Sequence, residues 1–337
     1  MKKFAAVIAF LSGTALAQDS HLGVSLHGMS GAPEQRIKVA KELSATWYRP
    51  GPVLLLGDAK CEDCEVAREA GLKISLVVRN EGAAGKPSNA VTDAADFQKK
   101  LRTVLEREKP TMLVVEDEPE DPKNFSGTPE DYGTELRAAC EISRALKIPC
   151  ANGGLGSVNV ALVVIDQRFK TDPTDAGNIA ITTELVRTGG EGTDLRILGR
   201  TIGSVGGKQT PAVEATRKFL DKRQHEIDRA RQFIDAIDQV KPDRLNFHWF
   251  ELQVDNVPRV LDSLHELSKL DLMCDAMAEK SERAFAISEK IKVAMENYIW
   301  PTIWVGTDER GLHGLVDNKG KLRPSASAFK TEGYKGK

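Results

Sequence analysis

Beyond its first 17 residues the chain has no apolar run near the roughly 20 residues that cross a bilayer as a helix, so the mature protein is expected to be soluble. It also has no surplus of positive charge. Lysine and arginine number 47 against 49 acidic residues in 337, a formal charge of −2. Phosphate neutralisation needs a basic surface, so no nucleic-acid partner is expected. Cysteine is scarce: the 5 present are an odd number, which leaves at least one thiol unpaired. Cys61 and Cys64 form a C-x-x-C, but the pattern from Asp58 to Ala70 reads as an exposed helix, not as a redox motif at a helix start after a strand. No second Cys or His pair stands at zinc-ligand spacing. A local disulfide or two ordinary thiols is expected there, and core positions for Cys140, Cys150 and Cys274. No metal and no cofactor are expected. Gly153-Gly154-Leu155-Gly156 lacks the third glycine and downstream acid of a dinucleotide loop and reads as a plain turn.

What is present begins with an export signal. Lys2 and Lys3 precede an apolar stretch from Phe4 to Leu11, and Ala15-Leu16-Ala17 is a small-residue cleavage site. Residues 1–17 are therefore read as removed, and the mature chain, from residue 18 to 337, as secreted or periplasmic. Its 41% hydrophobic and 28% charged composition excludes a wholly disordered or coiled-coil protein.

Short β-rich runs alternate with amphipathic helical ones, which argues for a parallel sheet wrapped by helices. The expected strands are Leu22 to Leu26, Thr46 to Arg49, Lys73 to Val78, Met112 to Val115, Pro149 to Asn152, Arg244 to Trp249, Leu272 to Asp275 and Thr302 to Val305. Helices are expected at Pro33 to Ser44, Cys61 to Ala70, Ala94 to Glu108, Asp131 to Leu146, Val257 to Leu267 and Arg283 to Tyr298. Eight such units define an α/β fold, a (β/α)₈ TIM barrel in one domain. A long insertion, about residues 156–242, follows the fifth strand. Its first half reads as glycine-rich and polar, and its second half, Pro211 to Val240, as a charged helix or helix pair. It is either a wall or lid beside the site or a structural excursion.

Barrel enzymes keep their chemistry at the C-terminal ends of the strands. The fourth strand runs into Glu116-Asp117-Glu118-Pro119-Glu120-Asp121. Alternation puts Glu116 and Glu118 on one side and Asp117 on the other, and two close carboxylates raise the proton affinity of one, as a general acid requires. The sixth strand ends Asn246-Phe247-His248-Trp249-Phe250-Glu251 and the eighth contains Trp304. Aromatic rings stack on the apolar faces of sugars while His, Asn and Asp bind hydroxyls.

These strand ends resemble those of clan A retaining glycoside hydrolases. Val114-Val115-Glu116-Asp117-Glu118-Pro119 is similar to their Asn-Glu-Pro signature, which makes Glu118 the acid/base candidate. Arg49 matches their second-strand arginine and His248-Trp249 their sixth-strand His with its aromatic neighbour. The tail from Trp304 through Asp317-Asn318-Lys319-Gly320-Lys321-Leu322-Arg323-Pro324 resembles the end of such barrels. The resemblance implies an oligo- or polysaccharide bound by Arg49, Asp117, His248, Trp249, Glu251 and Trp304.

Two positions depart from the family pattern. Asp117 replaces the asparagine that holds the sugar's 2-hydroxyl, and Ala276 occupies the apparent place of the seventh-strand nucleophile. A retaining mechanism needs two carboxyls about 5 to 5.5 Å apart, and alanine supplies none. Asp275 has the opposite parity to Ala276. An inverting pair, Glu118 with Glu279 or Glu251, tolerates roughly 6.5 to 9.5 Å. The expectation is a glycoside hydrolase-like, carbohydrate-binding barrel, the alternative a catalytically inactive binding or scaffold protein.

Overall fold

The computed structural model describes residues 21–55, 60–80, 86–174, 209–250, 257–277, 284–307 and 314–335. The export signal, Glu251 and Glu279 lie outside the described residues. Strands are β1 (Leu22–Ser25), β2 (Trp47–Arg49), β3 (Val53–Leu54), β4 (Lys73–Arg79), β5 (Met112–Val115), β6 (Cys150–Asn152), β7 (Leu245–Trp249), β8 (Leu272–Met277) and β9 (Thr302–Val305). The first helices are α1 (Pro33–Glu42), α2 (Cys64–Glu69), α3 (Ala94–Glu108), α4 (Pro129–Ala145) and α5 (Ser157–Thr171). They are followed by α6 (Gln209–Lys222), α7 (Gln224–Val240), α8 (Val257–Leu267), α9 (Ala284–Glu296) and α10 (Pro324–Lys335).

All strands pair in parallel, in the order β6-β5-β4-β2-β1-β9-β8-β7, with the short β3 added to β4. A bridge between Ala151 and Arg244 joins β6 to β7 and closes the ring. The seam between those two strands is held differently from the other joints. The Asn152 amide replaces a ladder rung, giving its Nδ2 hydrogen to Asn246 O (3.0 Å) and accepting from Asn246 N (2.6 Å). The chain then resumes pairing at Leu155, which donates to Asn246 O and accepts from His248 N. The expected TIM barrel and its eight strands are present.

Period-two alternation sorts the strand residues into two layers. Trp47, Val77, Met112, Val114, Ala151, Met273 and Ile303 form a packed plug inside the barrel. Their neighbours face outward and join the larger core beneath the helices. That outer core is supplied by amphipathic helices such as α3, which buries Phe97, Leu101, Val104 and Leu105. Asp93 caps its start by accepting from Ala95 N and Asp96 N, and Thr128 with Asp131 forms a capping box on α4.

The segment of about 90 residues between β6 and β7 differs from its sequence reading. Its first half holds α5, whose residues from Val160 through Asp166 are all buried. A helix apolar on every side shows no amphipathic stripe, so the run Val160-Ala161-Leu162-Val163-Val164-Ile165 gave no helical period to read. It packs on β7 and α8, while α7 packs on α4 and α5. The helix pair expected from Pro211 to Val240 is α6 and α7, broken at Arg223. The described part of the insertion is thus a wall of the barrel.

Cys61 bonds to Cys64, as the local-disulfide reading allows. Cys140 and Cys150 are buried as expected, but they form a second disulfide that ties α4 to β6, which corrects the plain-core reading. Cys274 is the free, buried thiol.

Candidate active site

A line of charged side chains crosses the C-terminal end of the barrel interior. It starts at β2, where the Arg49 guanidinium pairs with Asp275 of β8 through Nη1 and donates from Nη2 to Ser75 Oγ (3.2 Å) on β4. Asp275 Oδ2 also lies 3.3 Å from His248 Nε2 on β7, an ion-pair contact outside hydrogen-bond geometry. Across the ring, His248 Nδ1 stands 2.5 Å from Glu118 Oε1. Arg49, Asp275 and His248 are 9%, 5% and 4% exposed, whereas 27% of the Glu118 side chain is open to solvent. Charge therefore runs from a buried guanidinium to a partly exposed carboxyl.

The electrostatics follow from alternation of sign. Burial alone would lower the His248 pKa, but the carboxylates of Glu118 and Asp275 on its two sides raise it well above the usual imidazole value. Burial alone would raise Asp275, and Arg49 together with His248 hold it below the ordinary carboxylate range. Glu118 follows the same pattern: the His248 cation and its hydrogen bond overcome burial and lower it. At neutral pH Glu118 is an ion, and the nearest proton sits on His248.

The backbone that presents Glu118 is bent. Beyond Val115, Glu116 and Glu118 take left-handed φ values of 69° and 43°, a conformation that costs about 1 to 3 kcal/mol per non-glycine residue and gathers at functional sites. Tyr132 on α4 holds the bend by donating to Val115 O (3.0 Å) and accepting from Gly153 N (3.0 Å). Gly153 and Gly154 leave no room for side chains. A Cβ on Gly153 would sit 2.5 Å from the Glu116 backbone, and one on Gly154 (φ 90°) would sit 2.3 Å from His248 Nε2. The glycines read as a plain turn are the floor of the site, and a double glycine directly after a strand was the signal for it.

Several sequence-based placements change. Glu116 and Glu118 do not form the expected repelling pair. Glu116, fully buried, turns toward β4 and accepts from Asn80 N (2.7 Å), Ser88 Oγ (2.5 Å) and Arg79 Nε (3.4 Å). Its carboxyl neighbour is Glu135 of α4, which burial and the Glu116 charge push well up, so the proton of that pair rests on Glu135. Asp117 is an exposed side chain 3.9 Å from His248 Nε2. Trp249, Ala276 and Trp304 are one another's strand partners on the outward layer, all fully buried, and Trp304 packs edge-on to Phe329 of α10. Those two tryptophans cannot stack on a ligand in the barrel mouth. The inward residue at the end of the seventh barrel strand is Asp275, registered with His248; Ala276 faces the helices. Arg49, Glu118 and His248 come together as expected, and Asp275 and Asn246 join them, with Asn246 Nδ2 3.4 Å from Asp275 Oδ2. Among the described residues the side chains that close on one point with metal-ligand atoms are Cys61, Cys64 and Glu108, far in sequence from this line, and those two cysteines are disulfide-bonded.

No family model and no curated protein matches the sequence. Solved structures match it in fold. A family 128 (subgroup II) endo-β-1,3-glucanase from Sorangium cellulosum superposes with a TM-score of 0.53 at 10% identity, covering 93% of this chain and 98% of that one. The corresponding enzyme from Pseudomonas viridiflava gives 0.51 at 12% identity, covering 93% and 98%. A psychrophilic family 10 endo-β-1,4-xylanase gives 0.52 at 11% identity, with the same coverage. At such identities the likeness is one of fold: the chain has the TIM-barrel architecture of these structures over nearly its whole length.

Proposed function

We propose that the protein is an exported, glycoside hydrolase-like barrel that binds an oligo- or polysaccharide at the C-terminal ends of its strands, with Glu118 as the acid/base group. The observation that carries this reading is the line Arg49–Asp275–His248–Glu118, which ends on a partly exposed carboxyl at the barrel mouth. Asp117 and His248 are the adjoining groups able to bind hydroxyls. The activities of the similar folds make β-1,3-glucan and β-1,4-xylan the first ligands to test.

For hydrolysis, Glu118 takes the Nδ1 proton of His248 and passes it to the glycosidic oxygen as the C–O bond breaks. A water adds to the anomeric carbon and gives its proton to a second carboxylate. Asp275 is the inward acid closest at hand, and a whole imidazole separates it from Glu118, a spacing that fits attack by water better than a covalent intermediate. Glu279 and Glu251 remain the other candidates for that role. One observation favours the alternative of an inactive binding protein: Arg49 and His248 both neutralise Asp275, which leaves it a weak base.

Reducing-sugar release from glucans, xylans and aryl glycosides, run with the parent, Glu118→Gln and Asp275→Asn, separates the two. Turnover by the parent that Glu118→Gln abolishes removes the inactive reading. Saturable upward shifts in melting temperature without turnover support a binding protein. Neither turnover nor a shift with any glycan would sink the carbohydrate reading. N-terminal sequencing of the exported protein tests cleavage after Ala17.

A further inference from the structure

The helix α5 begins without a cap of its own. Gly156 at its N-cap has no side chain to offer, and the first turn holds no acidic residue. The missing acceptor comes from the fourth-strand loop: Glu120 Oε1 accepts from Gly156 N (2.5 Å) and from Asn159 Nδ2 (3.1 Å). Its second oxygen, Oε2, is buried and has no hydrogen-bond partner among the described residues. On the other side, Arg229 of α7 donates to the Glu120 carbonyl (2.8 Å). One residue thus joins the loop that carries Glu118 to two helices of the wall, α5 and α7.

Glu120 is also a neighbour of Glu118. Oε1 of each lies 3.2 Å from the point where a Cβ on Gly156 would stand, so the two carboxyls flank a single glycine. The groups that face Glu120 are Glu118 on its own loop, the Gly156 amide and Asn159 on α5, Arg229 on α7 and the Tyr132 hydroxyl on α4. Only Arg229 among them is a cation, and it meets the backbone carbonyl. Burial, and then the Glu118 charge, push the Glu120 carboxyl up to about 7.

We infer that Glu120 is a positioning residue for Glu118: it pins the fourth-strand loop to the first turn of α5 and acts on Glu118 through its own charge. This rests on Glu118 as the acid/base group. When Glu120 loses its proton, a second negative charge appears beside Glu118, and like charge raises the proton affinity of the neighbour. That opposes His248, which holds Glu118 ionised. Glu118 then accepts a proton more readily above the Glu120 midpoint than below it.

The test follows the carboxyl carbons of ¹³C-glutamate-labelled protein by NMR from about pH 4 to about pH 9, assigned with Glu118→Gln and Glu120→Gln. The amide of Glu120→Gln still accepts from Gly156 N but cannot ionise. In the parent, the Glu118 resonance should show a second inflection at about pH 7, absent in Glu120→Gln and restored in Glu120→Asp. Coupling is reciprocal, so Glu118→Gln should move the Glu120 midpoint below about 7, and this reading decides the matter if Glu120→Gln does not fold. A Glu118 resonance with no inflection at the Glu120 midpoint, or one that keeps it in Glu120→Gln, overturns the inference. Titration of the same samples with laminari-oligosaccharide keeps the failures apart: intact coupling without sugar binding sinks the carbohydrate reading and leaves the pair standing.

Discussion

His248 and Trp249 are chain neighbours, as are Asp275 and Ala276, yet each pair straddles two environments. The first member of each lies in the charged line inside the barrel, the second in the apolar layer under the helices. Both layers are buried, so exposure does not distinguish them. Parity along the strand does. A one-residue error in register moves a side chain from one layer to the other, and with it the reading of what the site contains.

Substitutions across that boundary are the direct way to break the comparison. The largest effect is expected from Ala276→Glu, which forces a carboxylate into the apolar layer between Trp249 and Trp304. Unfolding free energy measured in urea should fall by about 5 kcal/mol, and no glycosidase activity should be gained. A folded, newly active Ala276→Glu would put that residue in the inner layer. Trp304→Ala should cost about 4 kcal/mol through the cavity beside Phe329, while sugar affinity per folded molecule stays at the parent value; a large loss of affinity would place the ring in the mouth after all. Asp275→Ala should cost about 3 kcal/mol by leaving Arg49 and His248 without their shared anion.

A smaller effect is expected from pH. Glu118 and Asp275 lie below their ordinary values, so what they contribute is complete above about pH 4.5 and is lost as pH falls through their depressed values. His248 lies above its ordinary value, so its contribution is complete below about pH 6.5 and is lost as pH rises through the raised one. The line is therefore fully effective between about pH 4.5 and pH 6.5. Glu120 and Glu135, both raised, add to the alkaline loss. Urea midpoints across pH should show both limbs, and His248→Gln should flatten part of the alkaline one. An alkaline limb unchanged in His248→Gln would mean that its charge is not held as described. The smallest effect belongs to exposed Asp117: Asp117→Asn should leave stability within about 0.5 kcal/mol.

Much of the barrel was legible in the sequence because parallel strands flanked by amphipathic helices carry two clear periods. Met112–Val115, Thr302–Val305, Ala94–Glu108 and Val257–Leu267 agree with their expected spans. Arg49, His248 and Glu118 were legible because polar residues at strand ends are conspicuous after apolar runs. The inner and outer faces of β8 were not. Leu272-Met273-Cys274-Asp275-Ala276-Met277 is apolar on both faces, as a strand buried on both sides must be, so alternation gives no parity and the polar Asp275 was assigned outward. Helix α5 failed for the same reason in a helical setting. The Glu116–Glu135 and Cys140–Cys150 contacts join residues that no local pattern connects.

The joint between β6 and β7 has a consequence for how such a chain accepts extra length. Every other neighbouring pair in the ring shares a ladder, but here one isolated bridge, the Asn152 and Asp243 side chains and the Asp243 and Arg244 amides bonded to Cys150 O hold the strands until Leu155 takes over. This is also where the polypeptide leaves the barrel for about 90 residues before returning. A ring knitted evenly all round would have to spread a ladder to admit a wider wall of helices. A ring with one soft stitch admits it there, and the ladders of the other joints are left as they were.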